Sequence, residues 1–434
     1  MHQARIATRC YVLLVALLLL GGCNAEHRFA NEPPDFRRFG TLPGLEKSAD
    51  PALQDEFARL RAEEATPAQL AKREPPLSRD AAKVFRETFP VARVESLLED
   101  FAKVYPEGKF VFSGPAKQRA RDLLKNHHDF ITAAQATFEG EQYRLPIDHN
   151  QGLLADMNIV DVAEIAHRAR ALAVIDLLEE GDLNTAHDAV VRMLRLDHAL
   201  ASARHVVPRM KGARLRLEAL RVLEAVVQDE RVTPQMLAEL RDLLADHLRD
   251  WPEDADAWIG DRGQGLHTYE MIRHGLVLSV FSDAEIEQLR EETGVGATAK
   301  AVSENVDADE RYYLQTMREI VDACDQPYHE RRELLEKISR HLQDERNAPD
   351  FPLIAGRILL VGFDAGHRQQ AQDRAACEGW LLALCQATNQ QSPDLTHNPQ
   401  TGRAYQVQRE ETRVLVTNAR AGEPDEAIIV PVLP

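Results

Sequence analysis

Between about residue 78 and residue 390, apolar side chains recur at helical spacing almost without interruption. This constrains the fold more than any other feature of the chain, because consecutive amphipathic helices bury their stripes by packing on one another. Asn158 opens the clearest segment, with Ile159, Val162, Ala166, Ala169, Ala173 and Leu177 on one face. Gly181-Asp182 ends it, and a second helix carries Ala186, Val190, Met193 and Leu194. Thr233-Pro234 opens another helix, a capping residue before a proline at the first helical position. Phe281-Ser282 with Glu285 and Ile286 has the form of a capping box with its hydrophobic staple. Residues 311–324, 330–341 and 353–384 complete the helical part, the last broken near Gly362 or Gly366.

The two ends differ from this middle. After Ser392-Pro393, residues 403–409, 412–417 and 427–432 are short β-rich runs between polar turns. They predict a small antiparallel sheet, which needs a support; the 353–384 helix is the nearest one. Residues 24–50 are rich in Pro, Gly and charge, with no hydrophobic period, and read as a tether. Asp50-Pro51 and Thr66-Pro67 then start two short helices. The expected fold is mainly α: stacked antiparallel helical hairpins, an irregular solenoid or bundle, with a small C-terminal antiparallel sheet.

Arg5 and Arg9 precede an apolar run from Tyr11 to Leu20, and Leu20-Gly21-Gly22-Cys23 closes it. The run is shorter than the roughly 20 residues that span a bilayer, so a removed signal fits better than a membrane-spanning anchor. Positive residues, a short apolar stretch, small residues and then cysteine resemble the signal of a bacterial lipoprotein. That resemblance implies cleavage before Cys23 and fatty acylation of it, and two or more acyl chains give stable anchoring. Asn24 stands where that family's inner-membrane retention signal has aspartate, which implies the periplasmic face of the outer membrane. The chain then divides into a signal peptide (1–22), the lipidated cysteine with tether and short helices (23–77), a helical-hairpin domain (78–300), C-terminal helices (301–391) and a β-tail (392–434).

Loss of Arg5 and Arg9 with the signal takes the formal charge from −18 to −20. So acidic a body repels nucleic acid, which excludes it as a partner. Of the five cysteines, the lipoprotein resemblance implies that Cys10 leaves with the signal and that Cys23 is the lipid site. Cys377 and Cys385 share a predicted helix about 12 Å apart, beyond the reach of a disulfide. Cys324 is left to pair with either or with neither.

Two further resemblances are local. Ala173, Leu177, Gly181, Ala186 and Val190 match the small and apolar positions of a tetratricopeptide-type hairpin. Arg170, Val174 and His198 replace that family's aromatic, glycine and proline, and no second copy follows at a fixed period. The run Asn398-Pro399-Gln400-Thr401-Gly402-Arg403-Ala404-Tyr405 resembles the turn entering the C-terminal head of type II secretion pseudopilins. It implies a β-hairpin head. That family's calcium is not carried over, since Glu423 and Asp425 leave the following loop with fewer carboxylates than calcium normally takes. Together these features resemble bacterial envelope lipoproteins, without implying an activity.

Three groups of residues carry candidate chemistry. His267, Glu270 and His274 fall on one helix face, but over a rise of about 10 Å they cannot converge on one ion. No metal or cofactor is expected, and Glu270 with His274 reads as an i, i+4 surface pair. Asp261-Arg262 lies among Gly260, Gly263 and Gly265, each costing a helix about 1 kcal/mol against alanine. Close packing or a helix break explains such glycines, and a pocket bounded by Asp261, Arg262, His267 and Glu270 is the sharper reading. Arg204, Arg209, Lys211, Arg214, Arg216 and Arg221 form the one basic block, interrupted by Glu218. It reads either as a surface for an acidic partner or envelope polymer, or as a solvated face whose stems cover apolar surface. His127-His128-Asp129 and Asp148-His149 stand isolated, and no nucleophile elbow, phosphate loop or dinucleotide glycine pattern occurs.

These observations favour a non-catalytic scaffold, held to the membrane by its lipid and binding other envelope proteins. The competing expectations are an enzyme or small-molecule binder with its site near Asp261–His274, and an accessory of a pseudopilin-like secretion system.

Overall fold

Prolines set several of the helix starts. α1 (Pro43–Glu46), α2 (Pro51–Ala62) and α3 (Pro67–Arg73) each begin on one, where the missing N–H is not needed. The Asp50 carboxylate accepts from the Ala52 and Leu53 N–H groups, and Thr66 with Gln69 closes a capping box on α3. Four shorter helices follow: α4 (Arg79–Thr88), α5 (Val91–Val104), α6 (Gly114–Asn126) and α7 (His128–Thr137). The long helices are α8 (Asn158–Glu180), α9 (Leu183–Ala201), α10 (Val206–Val227), α11 (Pro234–Arg249) and α12 (Asp254–Arg273). α13 (Val295–Glu304), α14 (Val306–Asp322), α15 (Tyr328–Asp344) and α16 (Phe363–Ala387) complete the set. The computed structural model describes residues 40–105, 114–140, 145–281, 286, 295–345, 352–419 and 426–433. Its content is 73% helical, so the chain is mainly α, as the periodicity predicts.

The α8–α9 hairpin falls where the apolar pattern breaks. Gly181 takes φ +86°, and the Asp182 N–H donates back to the Leu177 carbonyl at 2.9 Å. α10 then packs along α9 and also touches α8, α12 and α16, which makes it the central helix. Three apolar clusters result. One joins α9, α10, α11 and α16 to the sheet. A second joins residues 42–65 to α12, α14 and α15. The third joins α5, α7 and the first half of α8.

These cores do not follow the divisions expected at residues 77/78 and 300/301. α16 belongs to the core of α10 and α11, and residues 42–65 share a core with α12 and α14. The tether expected to run to Asp50 ends earlier, since Leu42 and Leu45 are 1% and 0% exposed. The break expected near Gly362 or Gly366 in the 353–384 helix falls at Gly362 (φ +78°), which starts α16 after a π-turn at Ala355–Leu359. Gly366 lies inside α16, close to the Trp258 ring. The signal, the capping box proposed at Ser282 to Glu285, and Glu423 and Asp425 lie outside the described residues.

The C-terminal sheet has the order β1 (Gln406–Arg409), β2 (Arg413–Thr417), β3 (Ile428–Pro431), antiparallel throughout. Val414 pairs with Val430 and Val416 with Ile428, and all four side chains are buried on the α16 side. A Cβ on Gly379 of α16 would fall on Ala419 and Ile428, so the bare backbone there lets the sheet sit close. The Asn398 turn is held by its own side chain, which accepts from the Gln400 and Thr401 N–H groups and donates to the Asn418 carbonyl. It docks on the start of α15, where Pro399 accepts from the His329 N–H at 3.3 Å.

Candidate functional site

α12 is one continuous helix through all three of its glycines, so close packing and not a break explains them. A Cβ on Gly260 would fall on the Arg204 carbonyl, and one on Gly265 on the Tyr313 ring. The face expected to line a pocket is filled by other parts of the chain. Glu270 is fully buried; its Oε2 and Oε1 accept from the Gly44 and Leu45 N–H groups, both at 2.7 Å. It is therefore no surface partner of His274, which is exposed. His267 is buried against Gly152, whose φ of +51° brings the 149–154 turn onto the ring. Arg262 pairs with Glu63 at 2.6 Å, and the Tyr313 hydroxyl donates to the Asp261 carbonyl at 3.3 Å. Burial alone pushes the Asp261 carboxyl up to about 7.

Residues 42–65 thus form a strap across α12 and α14, and charges hold it there. Asp50 pairs with Arg311 at 2.5 Å, Glu56 with Arg318, and Ser48 donates to Asp307, which also pairs with Arg273. Glu310 lies beneath, fully buried, and burial pushes it up to about 8 against the pull of Arg273. The nearby Asp309 is buried too; it accepts from the Tyr269 hydroxyl and from the Ile354 and Ala355 N–H groups, which caps the π-turn.

The basic block is mostly interior, which corrects its reading as a surface. Arg209, Lys211 and Arg216 are 2%, 6% and 0% exposed, Arg204 and Arg214 are half-buried, and Arg221 alone is exposed. The reason is the central place of α10: neighbours on every side must supply its counter-charges. Lys211 and Arg214 converge with Arg168 on Glu164 of α8. Burial would raise the Glu164 carboxyl, but Arg214, Lys211 and Arg168 hold it well below the usual range. Arg209 donates to the Pro252 and Glu253 carbonyls and faces Asp254, which Arg331 meets at 2.5 Å. Arg204 reaches Glu74 at 3.4 Å and Asp256 at 3.5 Å.

Arg216 is the innermost. Its guanidinium lies 3.5 Å from Asp373 of α16 and 4.7 Å from the centre of the Trp251 ring, and it donates to the Asp197 carbonyl. Asp197 also pairs with His167 at 2.9 Å, and His198 stacks on His247 with ring centres 4.2 Å apart. Burial, then neighbouring positive charge, lowers His198 to about 3, so that ring is neutral at ordinary pH. Burial pushes the Cys377 and Cys324 thiols up to about 12, which leaves both poor nucleophiles. Cys324, Cys377 and Cys385 are all free thiols.

Among the described residues, no three His, Cys, Asp or Glu side chains are grouped to hold a metal ion. One open feature lies away from every predicted site residue. α4 is amphipathic, yet none of its residues is buried. Its apolar stripe runs through Ala81, Val84 and Thr88, and Val84 is 61% exposed. Phe85, on the inner edge, is half-buried and meets Phe89 with ring centres 5.0 Å apart. A groove of about 460 Å³ separates this helix from the 146–159 segment. The sequence carries a signal for it, since Ala81, Val84, Phe85 and Thr88 share a helical face, but nothing that says the face stays uncovered.

Comparison with known proteins gave no matching family model, no similar curated protein and no similar solved structure.

Proposed function

We propose that the chain is a lipid-anchored protein of a bacterial envelope, attached through Cys23, whose helical body holds other envelope proteins without catalysing a reaction. The observation that carries this reading is the uncovered apolar stripe of α4. An amphipathic helix with no buried residue is a docking face in search of a partner. The interior supports the same reading, because Arg209, Lys211, Arg214 and Arg216 each face a carboxylate across a helix contact, and the Cys324 and Cys377 thiols are poor nucleophiles. No described helix is long and apolar enough to cross a membrane, so in this reading the lipid makes the attachment.

Two measurements test it. Cys23→Ser is expected to move the protein from the membrane pellet to the soluble fraction. Retention in the pellet with an unprocessed signal overturns the lipid anchor. A photo-cross-linking phenylalanine analogue at Val84, irradiated in intact cells, is expected to give protein adducts of the same mass in every preparation. Because Val84 is exposed the analogue leaves the fold intact, so a lack of recurrent adducts overturns the docking face.

A further inference from the structure

The two edges of the C-terminal sheet are finished differently. On β3, the Val432 N–H donates to the Thr412 carbonyl at 2.9 Å, so Val432, Val430 and Ile428 bond to β2 while Ile429 and Pro431 turn their backbone outwards. Pro431 has no N–H to offer, and the Ile429 carbonyl accepts from the Gln228 side chain, just past the end of α10, at 2.8 Å. A proline and a covering side chain blunt that edge. β1 has neither. The Glu410 N–H donates to the Arg413 carbonyl at 2.8 Å, so Glu410, Gln408 and Gln406 bond to β2, and the N–H and C=O groups of Val407 and Arg409 face away from it. Tyr405 keeps the same phase, and its outward N–H donates to the Thr396 carbonyl at 3.1 Å. Residues 396–398 therefore cover the edge only as far as Tyr405, and the Leu395 N–H turns back to the Pro393 carbonyl at 2.8 Å. Among the described residues nothing pairs with the backbone of Val407 or Arg409, and all four residues of β1 are exposed.

We propose that β1 is a strand-addition site for an extended segment of a partner protein, which runs antiparallel to β1 with an acidic residue opposite Arg409 and an apolar one opposite Val407. Two residues in this phase close four backbone hydrogen bonds with an incoming strand and disturb none of those to β2. The side chains then set the choice of segment, because residues opposite one another share a face of the sheet. Val407 and Arg409 lie on the α16 side, opposite the buried Val416 and Val414. Val407 is 41% exposed there, apolar area that an apolar neighbour covers. The Arg409 guanidinium donates to the Gln386 carbonyl at the end of α16, and among the described residues no carboxylate pairs with it. It keeps donors free for an incoming carboxylate.

A second copy of the chain fits this edge less well. Two-fold pairing of β1 with itself sets each Arg409 against a valine, supplies neither guanidinium with a carboxylate, and brings together two bodies of formal charge −18. The edge shares no residue with the stripe on α4 and needs no lipid, so it is a second docking site, and it fails or stands apart from the first.

The test is amide hydrogen exchange of the purified full chain, read residue by residue by NMR, with the capped peptide Thr-Glu-Thr-Val-Thr as the probe. Run antiparallel, its glutamate reaches Arg409 when its valine reaches Val407. At about 5 mM peptide the Val407 and Arg409 amides are expected to exchange about fivefold more slowly, while those of Gln406 and Gln408, already in the ladder, hardly change. With lysine in place of the glutamate the slowing is expected to fall to about twofold or less, and Arg409→Glu is expected to reverse the preference between the two peptides. Val407→Pro removes an outward N–H and no ladder bond, so the sheet stands, and the slowing at Arg409 is expected to drop by at least half. No slowing with the glutamate peptide, or slowing that Val407→Pro leaves unchanged, overturns strand addition at β1. Equal slowing by both peptides, or a preference untouched by Arg409→Glu, overturns the acidic segment. Slowing that rises with protein concentration alone would give the edge to a second copy instead.

Discussion

Arg216→Met is expected to lower the unfolding free energy by about 3–5 kcal/mol at pH 8, and by clearly less at pH 5. Arg216 is fully buried and faces Asp373, which is 2% exposed. Removing the guanidinium leaves a buried carboxylate with only Arg209 near enough to offset it. Burial already pushes Asp373 up to about 7, against the pull of Arg216 and Arg209. In the unfolded chain the same carboxyl ionises near 3.9. A raised carboxyl favours the folded state most below the unfolded value, and that contribution is lost as pH rises through about 7. Without Arg216 the folded value climbs further, so the extra cost appears at pH 8. At pH 5 Asp373 holds its proton in both proteins, and the loss is confined to packing over Trp251 and the hydrogen bond to the Asp197 carbonyl. Adding Asp373→Leu removes the stranded charge and is expected to recover most of the stability at pH 8. Urea unfolding of wild type, single and double variants at the two pH values decides it. An equal cost at both, with no recovery in the double variant, would mean that Arg216 acts by shape alone.

The same residue shows where reading along the chain stops. The α8–α9 hairpin is legible because its signals are local: an apolar period up to Leu177, then Gly181 in the left-handed region. The sheet is legible for the same reason, its alternation and turns lying within residues 403–432. The partners of the basic block are not local. Arg216 meets Asp197 from the preceding helix and Asp373 from more than 150 positions downstream; Lys211 and Arg214 meet Glu164 about 50 positions upstream. Charged side chains in a row look solvated when their counter-charges lie elsewhere in the sequence. The available hint was negative: α10 has no polar stripe, its cations being spread among apolar residues on every face, and a helix without an outside belongs in the middle. The pocket expected at Asp261–His274 fails for a related reason. Its face of α12 was identified, but the strap that fills it comes from Leu42 to Ala65, some two hundred residues earlier.

The three glycines of α12 supply the second large effect, because one helix carries three different reasons for lacking a Cβ. Gly263→Ala is expected to be neutral or to stabilise by up to about 1 kcal/mol. Its Cβ would lie 3.4 Å from the Leu70 Cδ1, an ordinary contact, and alanine favours the helix. Gly265→Ala is expected to cost about 1–3 kcal/mol, since the new methyl meets the fully buried Tyr313 ring, whose hydroxyl is tied to the Asp261 carbonyl. Gly260→Ala is expected to cost the most, about 3 kcal/mol or more. There the obstacle is the Arg204 carbonyl, and backbone cannot rotate aside as a side chain can. Relieving that clash means moving α12 away from the Arg204–His205 turn. That movement stretches the contacts of Arg204 with Glu74 and Asp256 and of Arg209 with Asp254. Chemical denaturation of the three variants should therefore rank them Gly263→Ala above wild type or level with it, then Gly265→Ala, then Gly260→Ala. A Gly260→Ala protein within about 1 kcal/mol of wild type would show that α12 does not approach that turn so closely, and the seating of Arg209 beneath it would have to be redrawn.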